Sequence, residues 1–376
     1  MTTDCDFLVI GAGISGAAAA YELAPHGKVI VLEAESAPGY HSTGRSAALY
    51  TRNFGGPTVR AFNRASLPFL SAPPLGFADH PLLSPRGALT IGRADQRRDI
   101  EAHVALGAAD GSIVEIAQAE ALERAPHLKP EAVAFAAYEE GVMDMDVAAI
   151  HQGFLRGLKA RGGTVVCDAG VSALDRPNGA WHARTPAGDF VAPVVVNAAG
   201  AWADKVAALA GAQPVGLVPK RRTAIIVELS SGTNTRDWPA VDEVGYGCYC
   251  KPETGRVMAS PADATPVEPG DVQPEDLDVA IVADWLERST RIPVRRIARR
   301  WAGLRCFVAD DGPVCGFDDD ADGFFWLCGQ GGYGIMMSSS LGRTAASLIA
   351  RGELPEDIAA AGVATADIGP ERTRRA

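Results

Sequence analysis

Residues 7–16, Phe7-Leu-Val-Ile-Gly-Ala-Gly-Ile-Ser-Gly16, then an alanine-rich run to about Ala24 and Val29-Ile-Val-Leu-Glu33, decide the fold. Four apolar residues read as a buried strand, the glycines as a turn, the alanines as a helix and the second apolar run as a parallel strand, together a βαβ unit. Gly11, Gly13 and Gly16 fit G-x-G-x-x-G: the first makes a tight turn, the second lets backbone approach a pyrophosphate, and the third lets helix pack closely on strand. Ile14 and Ser15 open the helix, whose unpaired N–H groups suit a phosphate. Glu33 stands 22 positions after Gly11, at the end of the second strand, where a carboxylate accepts hydrogen bonds from ribose hydroxyls. Strand, helix and acid together point to a dinucleotide site rather than a plain turn, and leave open which dinucleotide.

The rest of the chain narrows the class. With 376 residues and 47% hydrophobic content it is long enough for two domains around a sizeable core. Lys and Arg number 35 against 46 Asp and Glu, a net charge of −11, without the basic footprint of a nucleic-acid partner. Cys5, Cys167, Cys248, Cys250, Cys306, Cys315 and Cys328 form no Cys-x-x-Cys pair, the histidines show no metal spacing, and free thiols of a reducing compartment are the simplest reading. Phe7 to Ile10 runs into the glycine loop without a basic n-region or cleavage site, and no apolar run reaches the ~20 residues of a membrane span. A cytoplasmic chain with no transmembrane segment and no metal is therefore expected.

Beyond a polar connection from Ala34 to Ala47 lies a stretch of mixed character with Pro73, Pro74, Pro81 and Pro85. The patterning predicts a strand near Ala88 to Ile91, helices over 96–107, 118–125 and 147–161, and a strand over 164–167. A hairpin over 181–185 and 189–193 then precedes a buried strand over 194–198. Residues 215–300 alternate strand-like runs with turn clusters and predict an antiparallel sheet. A strand over 323–327, a glycine turn and a helix over 335–350 repeat the opening order. The predicted class is α/β. A discontinuous Rossmann-like FAD domain would comprise 1–80, 142–214 and 301–365, and a mainly antiparallel β substrate domain 81–141 and 215–300; the choice of FAD rests on residues 39–48.

Those residues, Gly39-Tyr-His-Ser-Thr-Gly-Arg-Ser-Ala-Ala48, come directly after the ribose acid and resemble the second phosphate-and-flavin segment of flavoenzymes. With Val194 to Asp204, Trp301-Ala-Gly-Leu-Arg305 and Gly329-Gln-Gly-Gly-Tyr-Gly-Ile335, the chain resembles the D-amino-acid oxidase superfamily over nearly its whole length. Within it the chain most resembles the bacterial D-arginine dehydrogenases, through Pro38 to Ala48, His80 to Arg86 and Pro219-Lys-Arg-Arg222. The resemblance implies non-covalent FAD. It adds Ala34, His41, Ser42, Thr43, Gly44, Arg45, Ser46, Ala47, Ala48, Val171, Ala199, Gly200, Trp202, Gly329, Gly331, Gly332, Tyr333, Gly334 and Ile335 to the glycine loop and Glu33 as cofactor contacts. It sets Arg222 and Arg305 on a substrate carboxylate, a task suited to guanidinium forks, and puts Tyr249 on the same group. Gly332 and Tyr333 match the segment that holds the substrate amine.

Plainer readings stand beside these. Arg222 lies in a Lys-Arg-Arg cluster that could be surface charge, and Tyr249 could be a packing aromatic, as could Tyr50 and Tyr246; Arg52 could serve solvent or site. Cys306, next to Arg305, invites a covalent flavin link, but a buried thiol acting as a small hydrophobe is the simpler reading. The D-arginine dehydrogenase pattern is also broken. A histidine is replaced by Leu49, a lid tyrosine by Phe54, and the glutamate that receives a guanidinium by Ala88. Losing that acid would cost a cationic side chain roughly 1.5–3 kcal/mol, so the expected pocket is one for neutral or apolar side chains.

The implied reaction is oxidation of a D-amino acid by hydride transfer from Cα to flavin N5, the imine then hydrolysing to a 2-oxo acid and ammonia. The electron acceptor, a quinone, a carrier or O2, is left open. Oxidation of glycine or an N-alkyl amino acid such as sarcosine, or of a 2-hydroxy acid, is the alternative within the class. A non-catalytic FAD-binding subunit and a nicotinamide-dependent dehydrogenase are the alternatives outside it.

Overall fold

A computed structural model describes residues 2–374 apart from position 246. The nucleus is a six-stranded sheet in the order Thr164–Val166, Val29–Leu32, Phe7–Ile10, Val194–Asn197, Phe324–Cys328 and Val314–Phe317. The first five strands are parallel and the last is antiparallel. Period-two alternation splits their side chains between two cores. Val9, Val31, Val196 and Phe325 face the helices Ile14–Leu23 and Ser338–Arg351, while Leu8, Ile10, Ile30, Leu32 and Val195 face the other way. A four-stranded sheet covers that second side, made of the expected hairpin, Ala173–Asp175 and the N-terminal strand Thr2–Asp4.

A second, eight-stranded sheet runs in the order Ile297–Phe307, Val218–Glu228, Arg256–Ser260, Tyr249–Glu253, Ala240–Glu243, Ala88–Gly92, Phe135–Glu139 and Val114–Ile116. Every pairing in it is antiparallel except that of Ala240–Glu243 with Ala88–Gly92. The strand Ile297–Phe307 stays in this sheet past position 301, where the sequence suggested a domain boundary. A small sheet of Leu49–Tyr50, Met143–Met145 and Leu83–Pro85 joins the two halves.

Among the described residues, two long helices escaped the sequence reading. Pro57–Ser71 lies in the mixed stretch; its buried face includes Asn63 and Ser66 beside Val59, Phe62 and Leu70, and Pro68 lies inside it, so the apolar periodicity is broken. Asp276–Ser289 interrupts the region read as all strand, although Asp276 and Asp278 in its first turn and Arg288 in its last are the charges a helix dipole favours. The last long helix begins at Ser338 rather than Ile335 because residues 332–337 are spent in turns.

Candidate active site

The cofactor loop leaves the strand Phe7–Ile10 with Gly11 at φ +103°, where a Cβ would lie 2.5 Å from the Ala198 carbonyl oxygen. At Gly16 a Cβ would fall 1.9 Å from the Gly11 carbonyl oxygen, so neither position tolerates a side chain. At Gly13 it would meet only Thr43 Oγ1, at 3.4 Å, and that side of the turn stays open. Gly13 caps the helix Ile14–Leu23 without a side-chain hydrogen bond, and the Ile14 N–H donates to Thr43 Oγ1 at 3.0 Å. His151, which the sequence did not single out, donates from Nε2 to the Ala12 carbonyl at 2.8 Å, and burial lowers its pKa toward this neutral form. A histidine on an amphipathic helix carries no sequence signal for such a role.

A cleft of about 480 Å³ opens along the C-terminal ends of the parallel strands, the position ligands take in open α/β sheets. Glu33, Ala34 and Val171 line one end; Gly11, Gly13, Ile14, Ser15, His41, Ser42, Thr43 and Ser46 line the middle. Ala199, Gly200, Trp202, Gly329, Gly331, Gly332, Gly334, Ile335 and Arg305 complete the wall. Glu33 is held by N–H donors from Ala12 (2.9 Å) and Glu35 (3.0 Å). Gly16, Gly44, Arg45, Ala47, Ala48 and Tyr333 do not form this wall. Gly44 sits in a tight turn against Gly39, Ala48 packs in a core cluster, and Arg45 pairs with Asp271 and donates to the Ala302 carbonyl, tying the loop to the second sheet.

The wall fits a polar, phosphate-bearing cofactor. Gln330 Nε2 and His41 Nδ1 are buried in it without hydrogen-bond partners, and buried groups of this kind require a polar ligand. Gln330 was passed over in the sequence, though it lies within the quoted glycine segment. Cys306 is buried beside Leu304 and Ala201, and burial pushes its thiol up to about 12, so it packs as a small hydrophobe.

One face of the eight-stranded sheet carries the substrate candidates, because residues opposed in neighbouring strands share a face. Arg222 is opposite Gly303, two residues from Arg305, and Tyr249 is opposite both Ser260 and Asp242. Arg305 reaches the cofactor cleft beside Gly332. Burial pushes its guanidinium below the ordinary arginine range; nearby Tyr249 opposes this and the Arg222 cation reinforces it. Among the described residues no carboxylate forms an ion pair with Arg305 or Arg222; their guanidinium groups donate to the carbonyls of Leu304 and Asp263. Tyr333 sets its ring edge-on to Phe54, centroids 5.1 Å apart.

Leu49, opposite Asp144, faces the same sheet, since Asp144 reaches across to Lys251 Nζ at 3.1 Å. Phe54 is half exposed, its ring against Tyr333; Glu139 holds its segment by accepting from Thr51 Oγ1 (2.9 Å) and Asn53 Nδ2 (3.0 Å). Ala88 is paired with Glu139 on one side and Ala240 on the other. The face expected to be neutral around Leu49, Phe54 and Ala88 thus also carries two acids, Glu139 and Asp242. Tyr50 belongs to the core, its hydroxyl donating to the Asn63 carbonyl, and Arg52 pairs with Asp110. Tyr246 lies outside the described residues.

Parallel sheet, glycine loop, acid-ended second strand and a cleft leading to paired arginines define a dinucleotide-binding oxidoreductase. Residues 6–348 match the FAD dependent oxidoreductase (DAO) family, to which the chain belongs; it is an FAD-dependent enzyme. It is 25% identical to glycine oxidase of Geobacillus kaustophilus over 96% of both chains. It is 26% identical to mouse mitochondrial sarcosine dehydrogenase, over 57% of this chain but only 25% of that longer protein. Its fold matches the crystal structure of L-proline dehydrogenase from P. horikoshii with a TM-score of 0.83 at 21% identity, covering 100% of this chain and 99% of that one. No helix among the described residues is long and apolar enough to cross a membrane.

Proposed function

We propose that the chain oxidises the α-carbon–nitrogen bond of an amino acid, in the first place a D-amino acid, to an imine that water hydrolyses to a 2-oxo acid and ammonia. The observation that carries this reading is the pair Arg222 and Arg305 on one sheet face, neither in an ion pair with a carboxylate among the described residues, with Arg305 lining the cofactor cleft. Such a pair is a seat for a carboxylate, and neutralising it relieves the desolvation and mutual repulsion of the two cations. Tyr249 shares the seat from the neighbouring face position. Gly332, beside Arg305 and without a side chain, leaves room for the substrate amine against backbone.

FAD, when bound, supplies the two-electron acceptor for the hydride that leaves Cα. The protein's part is to fix the carboxylate so that Cα and the amine face the cleft, a gain in orientation rather than in chemistry. Phe54 and Tyr333 close the mouth with apolar rings and limit water. The preference for the D configuration rests on the likeness of the Arg222, Tyr249 and Arg305 segments to D-amino-acid dehydrogenases.

A second reading, oxidation of glycine or an N-alkyl amino acid, is supported by the end-to-end match with a glycine oxidase. Anaerobic bleaching of the flavin band by D-amino acids, L-amino acids, N-methyl amino acids and 2-hydroxy acids separates the two. Bleaching by D-amino acids is expected; bleaching by N-methyl substrates alone selects the second reading, and bleaching by hydroxy acids alone defeats both.

A further inference from the structure

We propose that Asp242 recognises the far end of the substrate, and that the class it admits is amino acids whose side chain ends in a cation, ammonium or guanidinium. The inference rests on the amino-acid reading above and names the side chain for it. Asp242 lies on the fifth of eight strands, directly opposite Tyr249, on the face that carries Arg222 and Arg305. It is half-buried, near the centre of a sheet face that the small sheet overlies, Asp144 opposite Leu49 reaching Lys251 Nζ at 3.1 Å.

One carboxylate oxygen, Oδ1, accepts from Thr90 Oγ1 at 3.0 Å, and no hydrogen bond engages Oδ2 among the described residues. Directly beside it on its own face stand Tyr249 and Thr90; along the strand and on the diagonal the neighbours are small, Ala240 two residues before it and Ala88 paired with Ala240. The alanine that removes one acid from the floor therefore also clears the space in front of another.

No basic group of the described residues neutralises Asp242. Lys251 and Arg86 are paired with Asp144, and Arg52 with Asp110. His103, behind Thr90, is kept toward its neutral form by burial. The other neighbours are Tyr249 and Glu139, the latter a like charge two strands away. Burial, with Glu139 reinforcing it, raises the Asp242 carboxyl to about 6, leaving it ionised at neutral pH and in want of a counter-charge.

Geometry sets the length of the missing cation's carrier. The strand of Arg222 and the strand of Asp242 are three steps apart, about 14 Å at the usual strand spacing. With arginine and aspartate reaching inward from either end, an extended lysine- or arginine-sized substrate spans the gap, whereas glycine or sarcosine leaves the acid unpaired.

The test is anaerobic stopped-flow reduction of the purified flavoenzyme by lysine against norleucine and arginine against citrulline, in both configurations, with sarcosine as control. Each pair matches in length and differs in the terminal charge. Wild type is expected to prefer the cationic member roughly 10- to 100-fold in reduction rate over Kd, the range for a hydrogen bond to a charged group. Asp242→Asn is expected to erase that ratio by slowing reduction by lysine and arginine. Norleucine reduced as well as lysine by wild type overturns the inference without any variant, and so does an unchanged ratio in Asp242→Asn. Reduction by no amino acid, primary or N-alkyl, overturns the amino-acid reading itself.

Discussion

Replacing Asp242 by Asn should make the protein more stable at neutral pH and leave it unchanged in acid. The folded carboxyl sits near pH 6 against an ordinary 3.8, chiefly because burial penalises its charge. Between those values the folded state holds more protons at this site than the unfolded chain, so stability falls as pH rises through the window and is lost fully above it. A shift of about two pH units corresponds to roughly 3 kcal/mol at most. The part of the side chain that is not buried reduces this figure through solvent screening. Asparagine keeps the oxygen that accepts from Thr90 and carries no charge, so it avoids the penalty. Thermal unfolding followed by flavin fluorescence, variant against wild type, should show no difference near pH 4 and a gain of a few degrees at pH 7–8. A gap that does not change between pH 4 and 8 would refute the assignment of Asp242 to a buried, unpaired position.

Three further outcomes are expected. Arg305→Met should weaken binding of the carboxylate substrate roughly 10- to 100-fold, through loss of a charge-assisted fork, with flavin content retained; equal Kd values by flavin titration would remove Arg305 from the seat. Gly16→Ala must fit a methyl group 1.9 Å from the Gly11 carbonyl oxygen, so the purified variant should hold little flavin by absorbance, and full occupancy would contradict the loop geometry. Acid precipitation should release the flavin into the supernatant, because the Cys306 thiol, pushed up to about 12 by burial, is a poor nucleophile; a yellow pellet would show a covalent bond.

The cofactor half of the protein was legible because its determinants are local. Strand, glycine turn, helix and acid lie within residues 7–33, and Gly11 and Gly16 are demanded by close approaches to Ala198 beside the neighbouring strand and to the Gly11 carbonyl. His151 and Gln330 were not legible: one acts through a buried hydrogen bond to backbone, and the other carries a buried Nε2 that meets no hydrogen-bond partner among the described residues. The helix Pro57–Ser71 was hidden by its own buried polar residues.

The sequence by itself therefore determined the dinucleotide-binding unit and the α/β class, since these depend on contiguous patterns of apolar spacing and glycine. The tertiary structure alone decided which side chains share a sheet face with Arg222 and Arg305. Strand register brings Asp242 beside Thr90, 152 positions away, and opposite Tyr249, and a shift of one residue in that register would turn the acid to the other face. Reading Ala88 in isolation predicts a pocket without charge; the pairing of strands from distant parts of the chain supplies another acid next to it, because the chemistry of a sheet face is set by neighbours across strands rather than along them.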